Sequence, residues 1–153
     1  MDSYSKLYDR VNKHSAFAVH NHIKITHIDE DKVEGELTIA PESLNPLGFV
    51  HGGCLVSLAD SVAGTAVYTK GRACVTLDCS FNYLRPATGT KIKCVARPQK
   101  IGHTIAVYEV FLTDDQDRLV ASGTFNFFRK EEAVGDLPWV TGGEETGQAE
   151  DGR

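Results

Sequence analysis

The chain has 153 residues, 41% of them hydrophobic and 24% charged, with a net charge of −5. That length supports one sizeable core and gives no reason for two ordinary domains. Seven acids against one base, Arg153, place −6 within residues 131–153 and leave the body near +1, which argues against nucleic-acid binding through overall charge.

The N-terminus carries Asp2, Lys6, Asp9 and Arg10 where a secretory signal needs an apolar run, and no stretch reaches the roughly 18 apolar residues of a membrane span. A cytoplasmic protein without membrane partners is expected. Residues 3–13 hold Tyr4, Leu7, Tyr8 and Val11 at helical spacing, which predicts a short surface helix. Ile23 and Ile25, then Val33, Leu37 and Ile39, alternate with polar residues on either side of Asp29-Glu30-Asp31. That pattern is a hairpin, closed by Pro41 and followed by a loop through Ser43–Val50.

From Gly53 to about Tyr68 the residues Leu55, Leu58, Ala59, Val62, Ala63, Ala66 and Val67 form the stripe of one long helix. Its opposite face is small or polar: Val56, Ser57, Asp60, Ser61, Gly64, Thr65 and Tyr68. Lys and Glu are absent between Cys54 and Thr69, so the helix is expected at the centre of the fold. Asp60 is then an acid in apolar surroundings, which calls for a specific partner or a catalytic task.

Four strand-like runs follow, 73–84, 90–97, 104–113 and 118–129, with turn signals at Pro86–Gly89, Pro98–Gly102 and Asp114–Asp117. They predict an antiparallel meander and, with the early hairpin, an α+β domain whose single curved sheet wraps the long helix. A domain over 1–130 is expected, with 131–153 as a loose acidic tail in which Leu137-Pro138-Trp139 docks locally. Cys54, Cys74, Cys79 and Cys94 lie singly in these elements, without zinc-site spacing or the density of a disulfide framework, and read as reduced thiols in or near the core.

Asn45, His51-Gly52-Gly53 and Leu58-Ala59-Asp60, together with Leu77-Asp78-Cys79-Ser80-Phe81-Asn82-Tyr83-Leu84-Arg85-Pro86-Ala87, carry the chemistry. This pattern and the element order resemble the hotdog-fold acyl-CoA thioesterases over roughly residues 20–129, nearest the PaaI-like and 4-hydroxybenzoyl-CoA branches. The resemblance implies a hotdog fold, hydrolysis of an acyl-CoA without a further cofactor or metal, and active sites at a subunit interface, often in a dimer of dimers. It gives Asp60 the part of nucleophile or general base, leaving open whether an anhydride forms or water attacks directly. It also makes Asn45 an orienting group for thioester or water, and Thr76 a water-positioning candidate. As residues alone, Asn45 before Pro46 is equally turn punctuation, and Thr76 an ordinary strand residue.

The residues reach the same chemistry by themselves. Gly52 and Gly53 at a helix start offer backbone N–H groups at the positive end of the helix dipole, an oxyanion site or simply a tight turn. His51 orients this loop or hydrogen-bonds near the thioester, since the resemblance assigns the base to the acid. Asp60 is eight residues beyond Gly52, about 12 Å along a helix axis. Both groups therefore act on one carbonyl only if they come from two antiparallel copies of the chain, which makes a homodimer obligatory.

Arg85, Arg97, Lys100 and His103 stand near strand ends as cations for the CoA phosphates, each otherwise a solvated charge. Leu47 and Phe49 are expected on the acyl pocket with the N-terminal helix and the central helix of the partner subunit, and Asp78 and Asn82 either on the cleft or on a solvated face. The alternatives are a non-catalytic acyl-CoA-binding module, against which Asp60 argues, and a dehydratase or isomerase of the same fold, which resembles other Asp-His or Glu-His arrangements.

Overall fold

The computed structural model describes residues 3–143. Helix α1 (Ser3–Asp9) continues through a π turn at Arg10–His14 into α2 (Ala16–His20). Strands β1 (Ile23–Ile28) and β2 (Val33–Thr38) form the expected hairpin. Its turn is held by Asp29, whose Oδ1 accepts from the N–H groups of Asp31 and Lys32, both at 2.8 Å. Helix α3 (Gly52–Tyr68) follows, then β3 (Arg72–Tyr83), β4 (Lys91–Ile101), β5 (Ile105–Thr113), β6 (Leu119–Ala133) and a one-turn helix α4 (Pro138–Thr141).

All six strands join one antiparallel sheet in the order β1-β2-β4-β5-β6-β3. The expected meander holds for β4, β5 and β6 and fails for β3, which pairs with β6 at the far edge. The cause is α3: it crosses the sheet, touching every strand, and delivers the chain to the edge opposite the β1-β2 hairpin. Leu55, Leu58, Ala59, Val62, Ala63, Ala66 and Val67 are buried against the sheet as the stripe predicts, and Thr65 is buried with them. The helix ends at a turn in which Gly71 adopts φ +85°, a left-handed conformation that glycine takes without steric cost.

Three sequence expectations change here. β4 runs through Pro98 instead of stopping at it, because a bulge between Pro98 and Lys100 accommodates a residue that lacks an N–H. A second bulge, between Thr76 and Asp78, breaks the strict alternation that the sequence predicts along this strand, with Val75, Leu77, Cys79, Phe81 and Tyr83 on one face and Thr76, Asp78, Ser80 and Asn82 on the other. It puts Thr76 on the helix-facing side with Phe81 and Tyr83, while Asp78, bonded by Asn126 Nδ2 at 2.6 Å, faces away. The third is Cys79, which is exposed, whereas Cys94 is buried and Cys54 and Cys74 are half-buried; all four are free thiols.

Of the segment expected as a loose tail, 131–133 complete β6, and 134–141 form a 3-10 turn and α4. Leu137 is buried, and Trp139 meets the Tyr68 ring edge-on at 6.5 Å. Residues 144–153 lie outside the described residues. No described helix is long and apolar enough to cross a membrane.

The helix sits on β2 at Gly35, where an added Cβ would approach Val62 Cγ2 to 2.6 Å and the Lys24 carbonyl oxygen to 3.0 Å. Gly35→Ala is therefore expected to destabilise the fold by about 1–3 kcal/mol through overpacking. Urea unfolding measures it, and an unchanged midpoint would contradict this helix–strand contact.

Candidate active site

Asp60 is half-buried on the polar stripe of α3, and its partner is Thr76, whose hydroxyl donates to Asp60 Oδ1 at 2.7 Å. The other carboxylate oxygen has no hydrogen bond among the described residues. The pair borders a cavity of about 460 Å³ with Ser61, Gly64, Thr65 and Tyr68 of α3 on one side. Leu7, Val11 and Ala18 of the N-terminal helices and Ile23 and Ile25 of β1 supply its apolar wall. Cys74 lies on the same cavity, where burial, and then the charge of Asp60, push its thiol up to about 12. The thiol stays protonated at neutral pH.

At the other end of α3, His51 is the N-cap residue and its Nδ1 accepts from the Gly53 N–H at 2.8 Å. That bond removes Gly53 from the pair of expected oxyanion donors and leaves Gly52, whose N–H has no acceptor among the described residues. The Tyr83 hydroxyl donates to the Gly52 carbonyl oxygen at 3.1 Å, and its ring would stand 3.1 Å from a Cβ at Gly52, so glycine is what lets β3 approach the helix start. A second cavity, about 390 Å³, opens here, bordered by Asn45, Phe49, Gly52, Tyr83 and Arg85.

Asn45 proves to be a loop organiser: its Oδ1 accepts from the N–H groups of Leu47 at 2.9 Å and Phe49 at 3.1 Å. Its side-chain NH2 makes no bond to a described residue. The loop it folds presents the His51-Gly52 pair.

The thioesterase superfamily profile matches residues 47–121. The 1,4-dihydroxy-2-naphthoyl-CoA hydrolase of Escherichia coli is 30% identical over 65% of this chain and 76% of its own. The chain belongs to the thioesterase superfamily. Among solved structures, the Escherichia coli PaaI protein from the phenylacetic acid degradation operon superposes with a TM-score of 0.78 at 26% identity, covering 84% of this chain and 96% of that one. A Streptococcus mutans protein bound to acetyl CoA does so with a TM-score of 0.71 at 28% identity, over 78% and 97%. The hotdog architecture and thioester hydrolysis expected from the sequence are thereby shown.

The thioesterase brings Asp60 and Thr76 together at the middle of α3 and keeps Asn45, His51, Gly52 and Phe49 at its N-terminus. Of the four candidate CoA cations, Arg85 alone borders either of these two cavities. Arg97 is exposed opposite Glu109, Lys100 is exposed near the end of β4, and exposed His103 lies 3.5 Å from Glu131. Leu47, 80% exposed, borders neither cavity, nor do Asp78 and Asn82. Sequence reasoning passed over Arg72, whose guanidinium bonds the carbonyls of Lys130, His103 and Arg129 and ties the start of β3 to β6. Its place directly after the helix-ending Gly71 was the available signal.

Proposed function

We propose that this thioesterase hydrolyses an aryl or medium-chain acyl-CoA at two equivalent sites, each shared between the two chains of a homodimer. The observation that carries the reading is the way α3 and β3 run antiparallel, tied at one end by Thr76 to Asp60 and at the other by Tyr83 to Gly52. β3 is a sheet edge, and it exposes Val75, Leu77 and Tyr83. An edge of this length and apolar content is a template for another strand. Pairing β3 with its own copy about a two-fold axis sets the Thr76 end of one chain beside the Tyr83 end of the other. Asp60 then faces the partner's Gly52, a meeting that about 12 Å of helix forbids within one chain.

In this arrangement the thioester carbonyl oxygen accepts the Gly52 N–H at the helix N-terminus, where negative charge developing on it is stabilised. Asp60, with one oxygen fixed by Thr76, uses the other to attack the carbonyl carbon or to take the proton of an attacking water. Collapse of the tetrahedral intermediate breaks the C–S bond and releases CoA as its thiolate; on the nucleophilic route this leaves an Asp60–acyl anhydride, which water then cleaves to the free acid and the regenerated carboxylate. The acetyl CoA held by the Streptococcus mutans protein and the aryl thioester cleaved by the Escherichia coli hydrolase support this substrate class, and Arg85 is the cation placed to meet CoA phosphate. Release of free thiol, followed over a panel of aryl-, short- and long-chain acyl-CoAs, tests the reading. Turnover is expected with aryl and medium-chain members, and none with any member would overturn it.

Thr76→Val is expected to lower kcat by about 10- to 150-fold, since a hydrogen bond to a charged acceptor is worth about 1.5–3 kcal/mol. Thr76→Ser keeps the hydroxyl and most of the rate. Equal kcat for the Val and Ser variants would remove the hydroxyl from the mechanism.

A further inference from the structure

The Asp60 cavity follows a single stripe of α3: Asp60, Ser61, Gly64, Thr65 and Tyr68 are its helical lining. From Asp60 to Tyr68 is eight residues, so this trough is about 12 Å long. Near Asp60 the floor is open because Gly64 carries no side chain, and the nearest atom to a Cβ there would be Phe127 Cε1 at 3.8 Å. At the far end stands Trp139, edge-on to Tyr68 and under the Arg10 guanidinium, which lies 5.8 Å from the centre of its ring. Lys6 Nζ, donating to the Val140 carbonyl oxygen at 3.1 Å, and the Val134 N–H, donating to the Gly71 carbonyl oxygen at 2.9 Å, fasten the segment that carries Trp139. Beyond Trp139 lies another hollow of about 450 Å³, and Arg10, His14 and Trp139 border both. Trp139 is thus part of a partition between two spaces of similar size. It lies outside the stretch, 47–121, shared with the superfamily profile.

We infer that Trp139, held by Arg10 and the α4 segment, is the end stop of the acyl site and restricts the enzyme to compact acyl groups. The inference rests on the thioesterase reading above: with the carbonyl at Asp60, one arm of the thioester must enter the trough. Leu7, Val11, Ala18, Ile23 and Ile25 make that arm the apolar acyl group and not the amide-rich arm of CoA. An extended chain advances about 1.2 Å per bond, so about 12 Å of trough takes roughly ten bonds before it meets the indole. A one-ring aryl group or a medium chain fits this length, and long fatty chains do not.

The test is the acyl-length profile of kcat/KM for the full chain, from acetyl-CoA through octanoyl- to tetradecanoyl-CoA with one arylacetyl-CoA. The wild-type protein is expected to fall at least about tenfold between the octanoyl and tetradecanoyl substrates. Trp139→Ala joins the two hollows and is expected to erase that fall, whereas Trp139→Phe keeps most of it. Gly64→Leu fills the trough from the other side and is expected to shift the preference toward acetyl-CoA by at least about tenfold over octanoyl-CoA. A profile unchanged by Trp139→Ala or by Gly64→Leu, in a protein that does cleave acyl-CoA, overturns the end stop alone. Failure of the wild-type protein to cleave any substrate would instead overturn the thioesterase reading on which it rests.

Discussion

Asp60→Asn will lower kcat for thioester hydrolysis by about a thousandfold or more, within the 10²–10⁴ range for loss of a general base and beyond it if the carboxylate is the nucleophile. The change is close to isosteric, and an amide oxygen still accepts from the Thr76 hydroxyl that bonds Asp60 at 2.7 Å. Urea unfolding should therefore stay within about 1 kcal/mol of the parent, as for replacements that leave no buried polar atom unpaired. The Cys74 thiol on the same cavity is not a substitute base, because it is pushed up to about 12, first by burial and then by Asp60 itself. Retention of most activity would remove Asp60 from the mechanism. After a single turnover in ¹⁸O-labelled water, label in the Asp60 side chain identifies an anhydride hydrolysed at the aspartyl carbon, whereas label in the product acid alone fits both deprotonation of water by Asp60 and an anhydride hydrolysed at the acyl carbon.

Much of this site was legible because its parts are local. The small-residue stripe of α3 with one acid, and the paired glycines before it, are fixed by helical period and by the chemistry of a helix start. Three features depended on contacts that no local pattern encodes. The bulge between Thr76 and Asp78 reverses which β3 residues face the helix, and its only trace in the sequence is Leu77, an apolar residue 53% exposed in the fold. The removal of Gly53 from the oxyanion pair follows from the rotamer of His51, which a sequence does not state. The docking of Trp139 joins residues about seventy positions apart in the chain, Tyr68 and Trp139. Composition marked this acidic segment as loose, but Trp139 lands on Tyr68 of α3 and under the Arg10 guanidinium, and Leu137 is buried. The β3 edge escaped for a similar reason: four strands in succession suggest a meander, and it takes the length of α3 across the sheet to carry β3 to the other side.

Mixing Asp60→Asn chains with Gly52→Pro chains is expected to restore activity that neither variant has alone. The proline removes the one N–H at the helix start without an acceptor, and position 52 is the first residue of the helix, where proline is best tolerated. His51 already has φ −59° and ψ 136°, the extended conformation preferred before proline. The steric demand falls on the Tyr83 ring, 3.1–3.2 Å from an added Cβ and packed edge-on to Phe81; Tyr83, 55% exposed, must give by a few tenths of an ångström, and recovery of the Gly52→Pro chain as a folded dimer checks that it does. In a two-fold dimer with shared sites, a heterodimer has one site carrying both lesions and one carrying neither. Purified heterodimers, isolated with two affinity tags, should therefore turn over at about half the wild-type rate per dimer, with an unchanged KM. If each chain held a complete site, both sites of the heterodimer would be damaged and no recovery would occur. The half-recovery thus tests whether Asp60 and Gly52, held about 12 Å apart along α3 of one chain, act together only across two.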